Sequence, residues 1–527
     1  MAKFGVPKAT TEVREAGIPL EGEVLYDKDK KALFFGDGTT SGGVALHSRS
    51  QETAFVYGID YDKSNTSAAG VKVVLDHSYD YDGANTALRY HAVDSFAQTP
   101  AHAFRGVLRD LENGVDVCFL DVSDSTKKAD GTALTADEKL GKWTSGGTTV
   151  LVDFMNRIPI TYWRIDHYSV VVDGVTHNHV VWLVSDKEFV DSAIHPFFYT
   201  SSGGATASVQ YVAKFKGVLC DASGNPKTQS AESTPAAYAS GDRLRSIMGY
   251  RPSSNTSRAN FRTAARVEHG ELTNLLFREW LTLMVAIDGG TLNSQAAFSA
   301  GLSNCSAWDY ASLRKTGRSA VFGNQTGEIL ADETEETGAD LDLLTMKDGG
   351  TIWNTAAQAD HNKRVVSFSW RGFEDIWGAC WEFADGCQKY QNDVAVDDFT
   401  QSGYWVTNDV DKYVSLDTDK GAGQQGEEFP SQGYTGASIA WVWNPFPKAS
   451  AWIKTFDEKS FLCLTTGGGE TTYFGDYWYN DANSGARVLI VGGGANYGGV
   501  VGVGYVNATL GLGNTVPSSG ARLAASA

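Results

Sequence analysis

Residues 373–386 read FEDIWGACWEFADG, residues 487–493 read RVLIVGG, and residues 520–524 read GARLA. The first stretch places two tryptophans among four carboxylates, and the second is a short β-prone run that ends in glycines. Ten of the 14 tryptophans follow residue 300, where the pattern indicates loops and short strands. Where regular structure is scarce, aromatic side chains are the expected filling of the core. These segments predict a β-rich C-terminal part with an aromatic core.

The composition excludes several classes of protein. The chain has 527 residues, enough for about three or four domain-sized units, and 44 basic against 63 acidic residues give a net charge of −19. Phosphate backbones would repel such a chain, so we expect no nucleic-acid partner. Because no run of about 18 apolar residues occurs and no apolar signal segment is visible at the start, we expect no membrane insertion. The 57 glycines and 12 prolines indicate many tight turns between short strands.

The six cysteines are scattered, without a CxxC pair. A zinc site or a dense disulfide framework is therefore not expected. We expect buried free thiols instead.

The order of predicted elements gives a mainly β chain with three parts. Residues 22–35 read as a hairpin followed by a turn-rich loop at 36–43, which predicts a small β-module over 1–50. An intermediate β-rich domain over 51–146 has strand candidates such as 54–59 and 115–120, and a polar surface loop or short helix at 124–142. The third part, 147–527, is predicted as an α+β domain with few helices and long loops.

Within the third part, two local patterns are strong. Val170 to Val184, with a turn at Gly174, predicts a β-hairpin. Apolar residues at three- and four-residue steps predict one helix over about 262–288, stopped by Gly289 and Gly290. A second short helix is predicted from Asn293 to Ala300.

Three patterns could bind a cofactor or metal, and each has a simpler interpretation. Gly492–Gly494 follows a β-prone run as in a dinucleotide-binding unit, but no amphipathic helix follows and too little chain remains, so we expect no cofactor. His177 and His179 alternate on one strand face, but a solvent-exposed hairpin is favoured over a metal site. The acidic turns 76–83 and 417–421 lack the full calcium-loop pattern, so we expect no metal.

The carboxylates of the opening stretch allow an enzymatic alternative. Glu374, Asp375, Glu382 and Asp385 lie among aromatics, as in many glycan-cleaving sites. Capping of turns or pairing with Arg371 is an equally good interpretation. No nucleophile elbow, P-loop or HExxH motif is present.

Both ends of the chain resemble known families. Residues 22–43 resemble the short β-module that opens many phage tail-fibre proteins. Residues 373–386 resemble the "WGNVWEW-x-DG" segment of C-type-lectin-like domains in the formylglycine-generating-enzyme branch. Residues 487–493 and 520–524 resemble the "R-x-x-x-x-GG … G-[AF]-R-L-A" frame of that branch. This frame brackets the variable region of proteins diversified by diversity-generating retroelements, which include tropism-determining proteins of phage tails.

The resemblance implies a non-enzymatic receptor-binding protein at the tip of a phage tail fibre. It implies a homotrimer in the virion, with the N-terminal module attached to other tail proteins and a C-type-lectin-like domain over 147–527 facing a host surface protein or glycan. Oxidase chemistry is not expected, because no cysteine follows Cys463. The usual "GG-x-W" aromatic is replaced by Gly494–Ala495.

The frame implies a variable, ligand-binding face within about 487–527. Tyr497 and Tyr505 are expected to be its main anchors, because aromatics bury much area with few rotatable bonds. Val500, Val501 and Val503 could equally form a core strand. The implied face consists of Gly494, Ala495, Asn496, Tyr497, Val500, Val501, Tyr505, Asn507, Thr509, Leu510, Val516, Ser518 and Ser519.

Two other functions remain open from the sequence. A fibre-borne glycan hydrolase would use the carboxylates near Trp377–Asp385 and would shorten host capsule. A purely structural virion protein would bind no host at all. Residues 487–522 contain no acidic side chain, so recognition there should depend on shape and hydrogen bonds.

Overall fold

A computed structural model gives the structure of the protein. It describes four short N-terminal strands and, with gaps, most of the chain from residue 104 onwards. The described residues are 8–9, 24–27, 32–35, 44–46, 56–64, 71–76, 104–189, 191–199, 206–227, 235–305, 310, 313–332, 363–392, 402–423, 439–443, 446–469, 472, 474–481 and 483–526.

Strands form most of the regular structure. Those of the first half are β1 Lys8–Ala9, β2 Val24–Asp27, β3 Ala32–Phe35, β4 Val44–Leu46, β5 Val56–Asp62, β6 Val71–Asp76, β7 Arg105–Asp110, β8 Val115–Phe119, β9 Lys142–Ser145, β10 Thr148–Leu151, β11 Asp153–Pro159, β12 Tyr162–Val172, β13 Val175–Ser185, β14 Ala193–Ile194, β15 Val209–Ala213, β16 Val218–Cys220, β17 Arg243–Arg245 and β18 Glu271–Leu272. Those of the second half are β19 Gly327–Asp332, β20 Lys363–Trp370, β21 Phe373–Glu374, β22 Trp381–Gln391, β23 Gly403–Val406, β24 Ala440–Trp443, β25 Ala451–Phe456, β26 Cys463–Thr466, β27 Tyr477–Tyr479, β28 Gly485–Val491, β29 Val506–Leu510, β30 Ser519–Gly520 and β31 Leu523–Ser526.

Helices are few among the described residues. The α-helices are α1 Ala136–Lys139, α2 Arg258–Val267, α3 Leu275–Gly289 and α4 Ser294–Ala297. Short 3-10 helices cover Pro196–Phe198, Arg318–Phe322, Val410–Asp417 and Gly498–Val500. The predicted class, mainly β with few helices and long loops, is confirmed.

Three large sheets organise the strands. The six-stranded sheet has the order β18-β31-β15-β11-β7-β8, and the five-stranded sheet has the order β14-β12-β13-β5-β6. The largest sheet runs β24-β23-β22-β28-β29-β27-β25-β26, with β30 paired to β22. Strands on both sides of residue 146, the predicted domain boundary, share the first two of these sheets.

The two predicted hairpins are confirmed. In the N-terminal module β2 pairs with β3 in antiparallel register. In the long hairpin Val172 lies opposite Val175, and the two turn residues Asp173 and Gly174 have φ of 51° and 79°. Positive φ at both positions is the signature of a type I′ turn, whose twist matches that of the strands.

The single helix predicted over 262–288 is wrong. The chain forms α2 and α3 instead, with β18 between them, and β18 pairs with the C-terminal β31 through Glu271↔Ala524 and Leu272↔Leu523. His269, with φ of 59°, turns the chain out of α2. The helix end at Gly290 is confirmed, because Gly290 adopts a left-handed conformation as the C-cap.

The shorter predictions hold in part. The polar stretch 124–142 contains α1, whose Thr135 and Glu138 form a capping box. The predicted helix from Asn293 to Ala300 is shorter, since α4 ends at Ala297 with Asn293 as its cap. All six cysteines are free, as expected, but only four are buried, because Cys118 and Cys305 are partly exposed.

Buried tryptophans fill much of the core. Trp182, Trp280, Trp370, Trp377 and Trp478 are fully buried, which confirms the aromatic filling of the core. This dense interior gives the C-terminal loops a rigid support.

Candidate functional site

The backbone of the C-terminal frame is fixed by two glycines directly after β28. Gly492 and Gly493 have φ of 86° and 81°, a region that side chains rarely adopt. A Cβ on Gly492 would lie 2.8 Å from the guanidinium of Arg278, and one on Gly493 would lie 2.7 Å from Val501. The Gly492 N–H also donates to the carbonyl oxygen of Tyr505 at 2.9 Å. The sequence predicted this rigid path from the glycines.

Three aromatic rings pack against one another along this path, none of them stacked face to face. Trp381 is buried, and the ring centroid of Tyr505 lies 4.5 Å from it. Tyr497 lies edge-on, 5.2 Å from Trp381 and 6.0 Å from Tyr505. Tyr505 is only 1% exposed, and burial raises its pKa. Tyr505 therefore supports the surface from below, whereas the half-buried Tyr497 forms part of it.

Strands β25 and β27 extend this surface with three more aromatics. Trp452 lies directly opposite Tyr477, with their ring centroids 5.6 Å apart, and opposite residues of paired strands share a face. Tyr477 is also 6.0 Å from Tyr505. Tyr479, two residues further along the strand, shares the face of Tyr477 and is 41% exposed. We name Trp452, Tyr477, Tyr479 and Tyr497 the aromatic face.

A buried carboxyl lies beneath the aromatic face. Asp476 Oδ2 accepts a hydrogen bond from the Gly504 N–H at 2.6 Å, and a Cβ on Gly502 would overlap Asp476 Oδ1. Burial raises the pKa of Asp476 to about 7, although the Gly504 N–H and Arg278 oppose the shift. Gly502 and Gly504 thus leave room for the Asp476 side chain just before β27, which explains their place in the frame.

The thirteen residues implied by the frame divide by exposure. Asn496 is exposed, and six others are half-buried: Tyr497, Val500, Thr509, Leu510, Val516 and Ser518. The remaining six are buried: Gly494, Ala495, Val501, Tyr505, Asn507 and Ser519.

Local contacts show what the buried members do. Ala495 donates its N–H to the Ala379 carbonyl at 2.8 Å, and Asn507 Oδ1 accepts from the Thr509 N–H and hydroxyl. Val501 belongs to the core, as does Val503, but neither lies in a strand. These side chains hold the frame together rather than face solvent.

Sequence reasoning missed Trp452, Tyr477 and Tyr479, which precede the implied range. A signal was available, because Tyr477 and Tyr479 flank the fully buried Trp478 with the period of two that marks a half-exposed strand. The pairing of β27 with β29 brings this strand beside the frame: Trp478 pairs with Val506, and Tyr479 pairs with Asn507.

The carboxylates considered for glycan cleavage are buried and engaged. Glu382 accepts from Lys216 at 2.7 Å and from Arg522 at 2.9 Å. Burial alone would raise the pKa of Glu382, but Arg522 and Lys216 outweigh it and hold the pKa at about 2. Asp375 is also buried and accepts from the Phe368 N–H at 3.0 Å. Glu382, held between two cations, is therefore a structural ion rather than a proton donor for a substrate.

The other two carboxylates have similar roles. Glu374 caps a turn by accepting backbone N–H groups of Gly317 and Ser319, each at 2.8 Å. Asp385 pairs with Arg262 at 2.6 Å. Arg371, suggested as a partner for these carboxylates, pairs instead with Asp288 at 2.6 Å.

The patterns considered for metals resolve into ordinary pairs. Nδ1 of His177 lies 2.8 Å from Asp62, and Nδ1 of His179 lies 2.8 Å from Asp60. Asp417 binds arginine side chains, including Arg262, and residues 77–83 lie outside the described residues. Within the described parts of the chain, no three His, Cys, Asp or Glu side chains are grouped as metal ligands. No described helix is long and apolar enough to cross a membrane.

Comparison with known proteins gives matches among solved structures. No protein-family model and no curated protein matches the sequence. The "Major Tropism Determinant P3c Variant" is 12% identical, with a TM-score of 0.24, and the U1 variant is 14% identical, with a TM-score of 0.23. Each match covers 99% of both chains. By their names these solved structures are tropism determinants, the class of protein that the end motifs resemble.

Proposed function

We propose that this chain is a receptor-binding protein of a phage tail fibre. It is part of the virion, binds a host cell-surface protein or glycan, and performs no catalysis. The aromatic face together with Asn496 and Val500 forms the binding surface. The N-terminal module over 1–50 joins the fibre, and the C-terminal domain faces the host.

The observation that carries this proposal is the support beneath the aromatic face. The aromatic face, with Tyr479 exposed and its other three members half-buried, lies on strands and on a loop. That loop is fixed by Gly492, Gly493 and the buried Trp381–Tyr505 pair. A surface held in this way loses little conformational freedom on binding. Aromatic side chains of this kind serve as anchors in binding interfaces.

Amino-acid substitutions that change the host would fall on the exposed residues of this frame. Substitution at Asn496, Tyr497 or Val500 changes the surface, whereas substitution at Val501 or Tyr505 would open or overfill the core. A nearby imperfect copy of the coding DNA, differing mainly at adenines, would identify a diversity-generating retroelement. Codons for exposed frame residues should then carry most of the differences.

Cell binding by purified variants tests the site. Tyr479→Ala, and separately Asn496→Ala with Tyr497→Ala, should each weaken binding to susceptible bacteria by roughly 30-fold. This is the loss of about 2 kcal/mol expected for an aromatic anchor. Binding of labelled full-length protein to a panel of bacterial strains is the measurement.

The control is Val171→Ala, which truncates a 66% exposed apolar side chain at the tip of the β12–β13 hairpin. It should bind cells as the original protein does. Unchanged binding by both tyrosine variants, with thermal unfolding intact, would reject the aromatic face. Absence of binding by the original protein to every strain would favour a purely structural virion protein.

A further inference from the structure

A cleft of about 440 Å³ lies at the edge of the six-stranded sheet. Its floor includes β18 and the end of β31, where Ala524 and Ala525 have side chains too small to fill it. Tyr199 lines one part of the cleft, and the segment Asn408 to Tyr413 lines another. The volume falls within the range typical of small-molecule sites, about 300 to 1,000 Å³.

One buried polar group in this cleft lacks a partner. Asn408 is 6% exposed, and its Nδ2 makes no hydrogen bond within the described residues. Leaving a buried amide donor unsatisfied costs about 1–3 kcal/mol. A ligand oxygen in the cleft would remove that cost, so Asn408 is a ready donor.

A second donor and an ion pair complete the polar lining. The Tyr413 hydroxyl accepts from Asn274 Nδ2 at 2.9 Å, and burial raises the pKa of Tyr413, so the phenol keeps its proton. Arg266 Nε lies 3.1 Å from Glu271 Oε1. Burial raises the pKa of Glu271 to about 7, although Arg266 opposes the shift. The Glu271 carboxyl can therefore donate as well as accept a hydrogen bond, beside the guanidinium donors of Arg266.

We propose that this cleft binds a neutral polyhydroxylated ligand of one or two sugar units. Sugar hydroxyls both donate and accept, which matches the unpartnered Asn408 amide, the Tyr413 hydroxyl and the Glu271 carboxylate. Tyr199 offers an aromatic surface for the apolar C–H groups of a sugar ring. No residue of the aromatic face lines the cleft, so the two sites are independent.

Saturation-transfer NMR on the full chain tests the proposal, with galactose, N-acetylglucosamine and lactose as probes. At least one should receive saturation from the original protein. Asn408→Asp preserves size but replaces the N–H donor with an acceptor, and it should weaken that sugar's binding at least about tenfold. Tyr199→Ala, which leaves backbone hydrogen bonds in place, should weaken it by a similar factor.

The control is Val171→Ala at the exposed tip of the β12–β13 hairpin, which should leave sugar binding unchanged. Tyr479→Ala tests whether the sugar binds to the aromatic face instead. Absence of transfer to all three sugars would overturn the proposal, and so would unchanged affinity in folded Asn408→Asp and Tyr199→Ala. Loss of transfer only in Tyr479→Ala would place the sugar on the aromatic face and overturn the cleft site. Stronger transfer to the anionic sugar sialic acid than to the three neutral probes would overturn the neutral class.

Discussion

Asp476 shows how a single buried residue makes the stability of the candidate site depend on pH. Its pKa is raised from 3.8 to about 7, mainly by burial. Between pH 4 and pH 7 the Asp476 carboxyl is therefore protonated in the native state but ionised in the unfolded chain. Its contribution to stability is complete below about pH 4 and is lost as the pH rises through 7.

Asp476→Asn should remove this dependence, because the amide does not ionise. From pH 4 to pH 8 the original protein should lose up to about 4 kcal/mol of unfolding free energy that the variant retains. Urea unfolding across that range measures the difference. The control Asp419→Asn changes an exposed turn carboxylate and should leave the profile as it was; parallel profiles for Asp476→Asn and the original protein would contradict the prediction.

At the scale of single residues, the structural role of a residue was predictable where it depended on residues adjacent in the sequence. Gly492 and Gly493 follow a β-prone run, and their role in fixing the backbone was expected. The burial of Tyr505 was not, because its covering partner Trp381 lies more than a hundred positions away in the sequence. The same holds for Glu382, whose partners Lys216 and Arg522 come from distant parts of the sequence.

At the scale of elements, two glycines are required for different structural reasons. Gly174 needs only its backbone freedom, since φ is 79° and no atom lies within 4 Å of an added Cβ. Gly502 needs space, because an added Cβ would overlap the buried carboxylate of Asp476. A side chain added at Gly174 would extend into solvent, whereas one added at Gly502 would meet packed neighbours.

Gly174→Ala should cost roughly 1–2 kcal/mol, the strain of an L residue in the left-handed region. Gly502→Ala should cost more, about 3 kcal/mol or above, because overpacking displaces Asp476 and the strand behind it. Chemical denaturation of the two variants gives the comparison. An equal cost for both would show that the Gly502 contact relaxes freely, contrary to the packing argument.

Elements were predictable where the pattern was local. The β12–β13 hairpin follows from its turn residues and alternating side chains, and α3 ends where Gly290 predicts. The single long helix failed at Leu272, which continues the helical spacing but lies in β18. A pairing with β31, some 250 positions later, outweighs local periodicity there, and no pattern within the helix reveals it.

At the scale of the whole molecule, the N-terminal strands raise the question of assembly. β1 to β4 have two to four residues each and form a sheet of their own. A module of this size buries too little surface to be stable alone. We therefore expect copies of the module over residues 1–50 to associate, and the resemblance to tail-fibre modules implies that they do so as a homotrimer.

Sedimentation should give three times the 56.7 kDa chain mass for the full-length protein and one chain mass for a variant that lacks residues 1–50. Because three linked faces bind one cell together, loss of the trimer should weaken apparent affinity by roughly 100-fold or more without altering any contact. Tyr479→Ala should weaken binding in both forms, since it acts on each face separately. A truncated variant that stays trimeric would assign assembly to another part of the chain, and a monomeric variant with unchanged cell affinity would show that each face binds independently of the others.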